Sequence, residues 1–65
     1  MDIGKEIKAL RKVYDWTQQE LADKMDVARA TIASYETNKR EPDAKTLVKL
    51  AGVFDISVDE LLGRE

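Results

Sequence analysis

The side chains best suited to recognition chemistry fall between Gln18 and Arg40. Arg29 is followed by Ala30, Ala33 and Ser34, and Ile32 and Tyr35 lie between them at helical spacing. If Ile32 and Tyr35 face a core, then Arg29, Ala30, Ala33 and Ser34 face away from it. A guanidinium fork matches the O6 and N7 acceptors of guanine, and an alanine methyl can meet a thymine methyl. Small neighbours let a helix approach a partner closely, and no long acidic side chain intervenes before Glu36. Lys39-Arg40 adds two adjacent cations just beyond this stretch.

Bond-making chemistry lacks its parts. The 65 residues include no histidine and no cysteine. The commonest general base, the commonest zinc ligand, thiolate metal sites and disulfides are therefore excluded. There is no Gly-rich phosphate loop either. The sequence thus points away from an enzyme, and no cofactor, metal or small-molecule ligand is expected.

The face around Arg29 needs elements to hold it, and the periodicity is helical throughout. Ile3, Ile7, Leu10 and Tyr14 predict a first helix from about Ile3 to Val13, capped by Asp2. Thr17 and Glu20 form a capping box, flanked by Trp16 and Leu21 at staple positions, and start a second helix reaching Lys24 or Met25. A third helix spans about Ala28 to Thr37. Pro42-Asp43 starts a fourth, with Leu47, Leu50, Ala51 and Phe54 on one face. Ser57 and Glu60 repeat the capping box and start a short fifth helix, stopped at Gly63. The capping boxes, Trp16 and Tyr35 read as caps and core.

Asp15, Asp26, Asn38 and Asp55 sit at helix exits, where a left-handed residue allows a sharp turn. Asp and Asn tolerate that conformation better than other non-glycine residues. No strand, linker, repeat or low-complexity tract is evident, so residues 1–65 read as one all-α domain. Some of Phe54, Val58, Leu61 and Leu62 must close its core, and the others are candidates for a self-association patch.

Only Met25-Asp26-Val27 and its neighbours separate the second and third helices. Two short helices joined so tightly form a helix-turn-helix, here Thr17–Glu36, whose second helix can enter the DNA major groove. Net charge is −2, which counts against a nucleic-acid partner. Its distribution softens that objection. Residues 1–45 carry nine basic and nine acidic residues, whereas residues 46–65 carry two basic and four acidic ones. A modest positive face can form from Lys5, Lys8, Arg11, Lys12, Arg29, Lys39 and Arg40. No apolar stretch approaches the roughly 20 residues of a membrane helix, and Met1–Lys5 is not followed by the apolar region of a secretory signal. A cytoplasmic, nucleoid-associated location is expected.

The sequence resembles the Cro and phage-repressor type of helix-turn-helix proteins, also called the xenobiotic-response-element family. The resemblance runs through Ile3-Gly4-Lys5-Glu6-Ile7-Lys8-Ala9-Leu10-Arg11, Thr17-Gln18-Gln19-Glu20-Leu21-Ala22, Val27, Thr31-Ile32 and Tyr35-Glu36. It continues through Lys39-Arg40-Glu41-Pro42, Leu47, Leu50-Ala51 and Ile56-Ser57-Val58-Asp59-Glu60-Leu61-Leu62. It covers nearly the whole chain without a gap. It implies a compact five-helix bundle of the lambda-repressor-like type, of bacterial or phage origin. The implied function is sequence-specific binding of double-stranded DNA and transcriptional repression.

The same resemblance implies residue roles. Arg29, Ala30, Ala33 and Ser34 match base-reading positions. Gln18, Thr31, Thr37, Asn38, Lys39 and Arg40 match places that touch the DNA backbone. Arg11 and Glu36 match an internal salt bridge. Two-fold operator reading implies a homodimer, formed in solution or only on DNA, with half-sites roughly 34 Å apart.

Departures from the family pattern are instructive. Glycine is usual where this chain has Asp15, Asp26, Asn38 and Asp55. Ala28 replaces the usual Ser or Thr cap of the recognition helix, at a typical cost of about 1 kcal/mol. A weaker and more salt-sensitive grip on DNA is therefore expected. The competing reading is a protein-interaction module, such as an antitoxin or adaptor, that retains the fold; the acidic balance is its main support.

Overall fold

Each helix but one begins where a side chain takes up orphan backbone N–H groups. In the computed structural model, which describes residues 2–63, Asp2 accepts from the Lys5 N–H at 2.9 Å and opens α1 (Ile3–Val13). Ahead of α2 (Gln18–Met25), Thr17 and Glu20 make both capping-box bonds, at 2.9 and 3.0 Å. Asp43 accepts from the Thr46 N–H before α4 (Ala44–Phe54). Ser57 and Glu60 repeat the reciprocal pair before α5 (Val58–Leu61). The exception is α3 (Arg29–Glu36): Ala28 has the extended backbone of a cap but no oxygen to offer.

The exits share one geometry. Asp15, Asp26, Asn38 and Asp55 have φ between 57° and 60°. After each, the next N–H reaches back five residues: Trp16 to Arg11, Val27 to Ala22 and Lys39 to Ser34, each at 3.0 Å, and Ile56 to Ala51 at 2.9 Å. This is the Schellman pattern, which usually adds an apolar contact from the residue making that bond. Trp16, Val27 and Ile56 supply one, being half-buried against the core. The fourth, Lys39, is exposed.

Every helix contributes to a single buried cluster. Its largest fully buried members are Ile7, Leu21, Met25, Ile32, Leu50, Phe54 and Leu61, with Tyr35 nearly as enclosed. Each such side chain contributes about 1.5–3 kcal/mol relative to exposure, which matters in a chain without a disulfide. Trp16 extends the cluster in a trio of rings, 4.5 Å from Tyr14 and 5.8 Å from Phe54, which are themselves 6.0 Å apart, with the Lys24 ammonium 4.6 Å from the Trp16 ring. Tyr14 is partly exposed, but its hydroxyl donates to the Phe54 carbonyl at 2.6 Å. At the C-terminal end Phe54 and Leu61 close the core while Val58 and Leu62 are half-buried; among the described residues, the large apolar ones left exposed are Val13, Tyr14 and Val48.

The third helix packs against both α1 and α2, and α4 packs against α2 and α5. Two neighbours leave α3 a narrow outward strip. Arg29 and Ala30 at its start are exposed, whereas Ala33 and Ser34 are half-buried, less open than their sequence spacing suggests. Among the described residues no helix is long and apolar enough to cross a membrane.

Candidate nucleic-acid interface

The starts of α2 and α3 are joined by a polar relay that begins in the interior. Glu36, whose side chain is 3% exposed, receives Arg11 Nε at 2.7 Å and Arg11 Nη2 at 3.2 Å. Arg11 Nη1 donates to the Trp16 carbonyl at 2.7 Å, so the guanidinium is held on two sides. Gln18 Nε2 donates to Glu36 Oε1, the same oxygen that Arg11 Nη2 reaches, at 3.2 Å. Gln18 Oε1 in turn accepts from Arg29 Nη1, also at 3.2 Å. A buried ion pair thus orients an amide, and that amide holds an exposed guanidinium at the N-terminus of α3. Arg29 spends one nitrogen on this bond and keeps the others for a planar acceptor pair.

The remaining candidates divide by what their polar groups already do. Ser34 donates its hydroxyl to the Ala30 carbonyl and Thr37 donates to Ala33, each at 2.9 Å, so Ser34 presents only acceptor lone pairs outward. Thr31, in the same first turn of α3 as Arg29, is half-buried. Gln18 has one amide hydrogen beyond its bond to Glu36. Asn38 turns its side chain to α1: Oδ1 accepts from the Gly4 N–H at 3.1 Å and Nδ2 donates to Asp2 Oδ1 at 2.7 Å. The backbone N–H groups of residues 37–40 all donate within the chain. Of residues 37–40, Lys39 and Arg40 are exposed cations whose side chains can meet a phosphate.

Lys39 and Arg40 follow the far end of α3, whereas the cation of Arg29 stands at its start, where the first N–H groups have no side-chain cap. That combination favours an anion, because the positive end of a helix and its unpaired donors point the same way. Asp2 lies at the opposite end of α3, beside Asn38, and the Lys5 backbone N–H, then Asn38, hold its carboxyl below the ordinary value of 3.8. It remains charged there and is occupied by protein donors. An open depression of about 240 Å³, lined by Ile3, Glu41, Pro42, Leu47 and Leu62, takes no residue from α2 or α3. It is separate from this face.

Sequence reasoning placed Gln18 and Arg29 at two helix starts but did not join them. It gave Asn38 a left-handed turn and missed the use of its side chain. Neither contact has a local signal, since the partners are 11 and 34–36 residues apart.

Known proteins resemble the chain in sequence and in fold. The helix-turn-helix family model matches residues 7–61. The HTH-type transcriptional regulator ImmR of Bacillus subtilis is 37% identical over the whole chain, which covers 51% of that protein. The crystal structure of SinR, the master regulator for biofilm formation, in complex with DNA superposes with a TM-score of 0.84. It is 39% identical, over 92% of this chain and 97% of that one. The P22 c2 repressor in complex with a synthetic operator gives a TM-score of 0.85 at 28% identity, over 94% and 92% of the two chains. The chain spans about half the length of the curated relatives it matches. With most of its length matched by the family model, the chain belongs to the helix-turn-helix family of the Cro and phage-repressor type.

Proposed function

We propose that residues 1–65 act as the sequence-specific DNA-binding domain of a transcriptional repressor, with α3 in the major groove of a pseudo-palindromic operator. The observation that carries this reading is Arg29: an exposed guanidinium at the uncapped start of α3, oriented through Gln18 by a buried ion pair. A guanidinium already held in place loses less side-chain freedom on binding, and guanine offers the acceptors that match its fork. Similarity over nearly the whole chain to a regulator and a repressor, each in complex with DNA, supports this reading.

Within this reading Arg29, Ala30, Ala33 and Ser34 face base edges, with Ser34 accepting from a base amino group. Lys39 and Arg40 meet phosphates, and Gln18 uses its second amide hydrogen and its helix-start N–H for another. Thr31 and Thr37 line the groove wall. Few direct base contacts are available per subunit, so a homodimer reading two half-sites supplies the rest of the specificity. A cytoplasmic, nucleoid-associated location follows.

The roles separate on mutation. Arg29→Ala is expected to cost about 1–3 kcal/mol on the preferred sequence and to relax base choice at one position. Arg40→Ala is expected to weaken binding to every sequence alike and to lower the salt slope by about 1. Equal behaviour of both variants on preferred and random DNA contradicts the assignment. The net charge of −2 favours the second reading, a protein-binding antitoxin or adaptor. That reading predicts little loss of DNA affinity with salt, because counterion release is absent.

A further inference from the structure

We infer that Asn38 is the positioning residue for Lys39 and Arg40: its side chain fastens their turn to the N-terminus of α1 and so fixes where the two cations stand. The inference rests on the proposed function only in taking those cations as phosphate ligands.

Four observations converge on it. The side chain of Asn38 uses both its ends, accepting from the Gly4 N–H and donating to Asp2 Oδ1. That same Asp2 oxygen caps α1 through the Lys5 N–H, so one carboxylate joins the start of α1 to the end of α3. Gly4 exists to permit the approach. A Cβ there would stand 2.4 Å from the Tyr35 carbonyl oxygen, 2.7 Å from that of Glu36 and 2.8 Å from Asn38 Oδ1. Finally, three of the four Schellman exits are anchored by a half-buried apolar residue, and this one is not, because its anchor position is the exposed Lys39.

An apolar anchor at position 39 would hold the turn but remove a cation from the surface. The Asn38 clasp restrains the turn from the other side of the backbone and leaves positions 39 and 40 free to carry charge. Its benefit appears on binding: a turn already ordered loses less conformational entropy when it meets DNA. Because phosphate contacts position a protein without reading sequence, the clasp acts on affinity for all duplexes and not on base choice.

The test compares duplex binding by the full chain, followed by fluorescence anisotropy, on a selected sequence and on a random duplex of equal length. Asn38→Gly keeps the left-handed backbone without strain and removes the clasp. It is expected to bind both duplexes roughly tenfold more weakly, the loss that follows when ordering about one residue shifts to the binding step. The salt slope is expected to stay unchanged, whereas Lys39→Ala lowers it. Asn38→Asp places two carboxylates face to face and is expected to bind worst.

The exchange Asp2→Asn with Asn38→Asp preserves net charge and the bond from the Gly4 N–H, and replaces the facing carboxylates by an amide that can donate to a carboxylate. The one Asp2 oxygen that serves both Lys5 and Asn38 has no equivalent there, so the α1 cap and the clasp compete. The exchanged pair is expected to bind more tightly than Asn38→Asp and less tightly than the wild type. Wild-type affinity in Asn38→Gly, or an exchanged pair no tighter than Asn38→Asp, overturns the inference. Amide exchange at Lys39 and Arg40 in the free protein separates this from failure of the DNA-binding reading. It is expected to speed up in Asn38→Gly and in Asn38→Asp, and to be slower in the exchanged pair than in Asn38→Asp, whether or not DNA binds. Unchanged exchange rates overturn the clasp itself.

Discussion

Arg11→Ala is expected to destabilise the domain severely although Arg11 touches no part of the proposed reading face. The wild-type guanidinium makes three hydrogen bonds, two to Glu36 and one to the Trp16 carbonyl. Its removal leaves a carboxylate that is 3% exposed with Gln18 Nε2 as its remaining donor. Breaking a buried pair from one side typically costs about 3–5 kcal/mol, whereas the same pair on a surface is worth about 0–1 kcal/mol. A chain of 65 residues has a total stability of roughly 3–10 kcal/mol, so the variant is expected to sit near its folding limit. Urea unfolding followed by Trp16 fluorescence is the assay, because this single tryptophan stacks against Phe54 and reports on the core. Adding Glu36→Gln to Arg11→Ala removes the stranded charge and is expected to recover a large part of the loss. A cost below about 1 kcal/mol for Arg11→Ala, or no recovery in the double variant, refutes the view that this pair is a buried, one-sidedly indispensable strut.

Other consequences are simpler to read. Ala28→Ser supplies the missing oxygen at a residue that already has cap geometry, and a gain of about 1 kcal/mol is expected in thermal or urea unfolding. Gly4→Ala forces a methyl against backbone carbonyls that cannot rotate away, and a loss of about 1–3 kcal/mol or more is expected in urea unfolding. The caps Asp2 and Asp43 both titrate below the ordinary 3.8, Asp2 mainly through the Lys5 N–H and Asp43 mainly through Thr46. A carboxylate depressed on folding stabilises fully above its unfolded pKa and loses that contribution as pH falls through the folded one. The caps' share of stability is therefore expected to be constant from neutral pH down to about 5, to decline as pH falls past the unfolded value of about 3.9, and to vanish only below the lower folded values. Asn at both positions should flatten that acid limb in urea midpoints measured against pH.

Much of the fold was legible because its signals are local. A capping box needs only residues three apart, and Thr17–Glu20 and Ser57–Glu60 both close as expected. Left-handed exits need a residue that tolerates positive φ, and Asp15, Asp26, Asn38 and Asp55 all adopt it. Ile32 and Tyr35 turn inward because α3 lies on α1 and α2. The same packing half-buries Ala33 and Ser34, which spacing on an isolated helix cannot foretell. The relay from Arg11 to Arg29 and the clasp at Asn38 depend on how separate helices meet. A glycine at position 4 has no visible purpose in sequence until the carbonyls of Tyr35 and Glu36 are placed beside it.

Selection of bound duplexes from a random pool, followed by affinity against salt for the selected sequence, bears most directly on whether α3 reads DNA. The expected result is one two-fold-symmetric sequence with half-sites roughly 34 Å apart, bound with an affinity that falls steeply as salt rises, and loss of its preference in Arg29→Ala. A pool that yields no common sequence, or binding indifferent to salt, contradicts it.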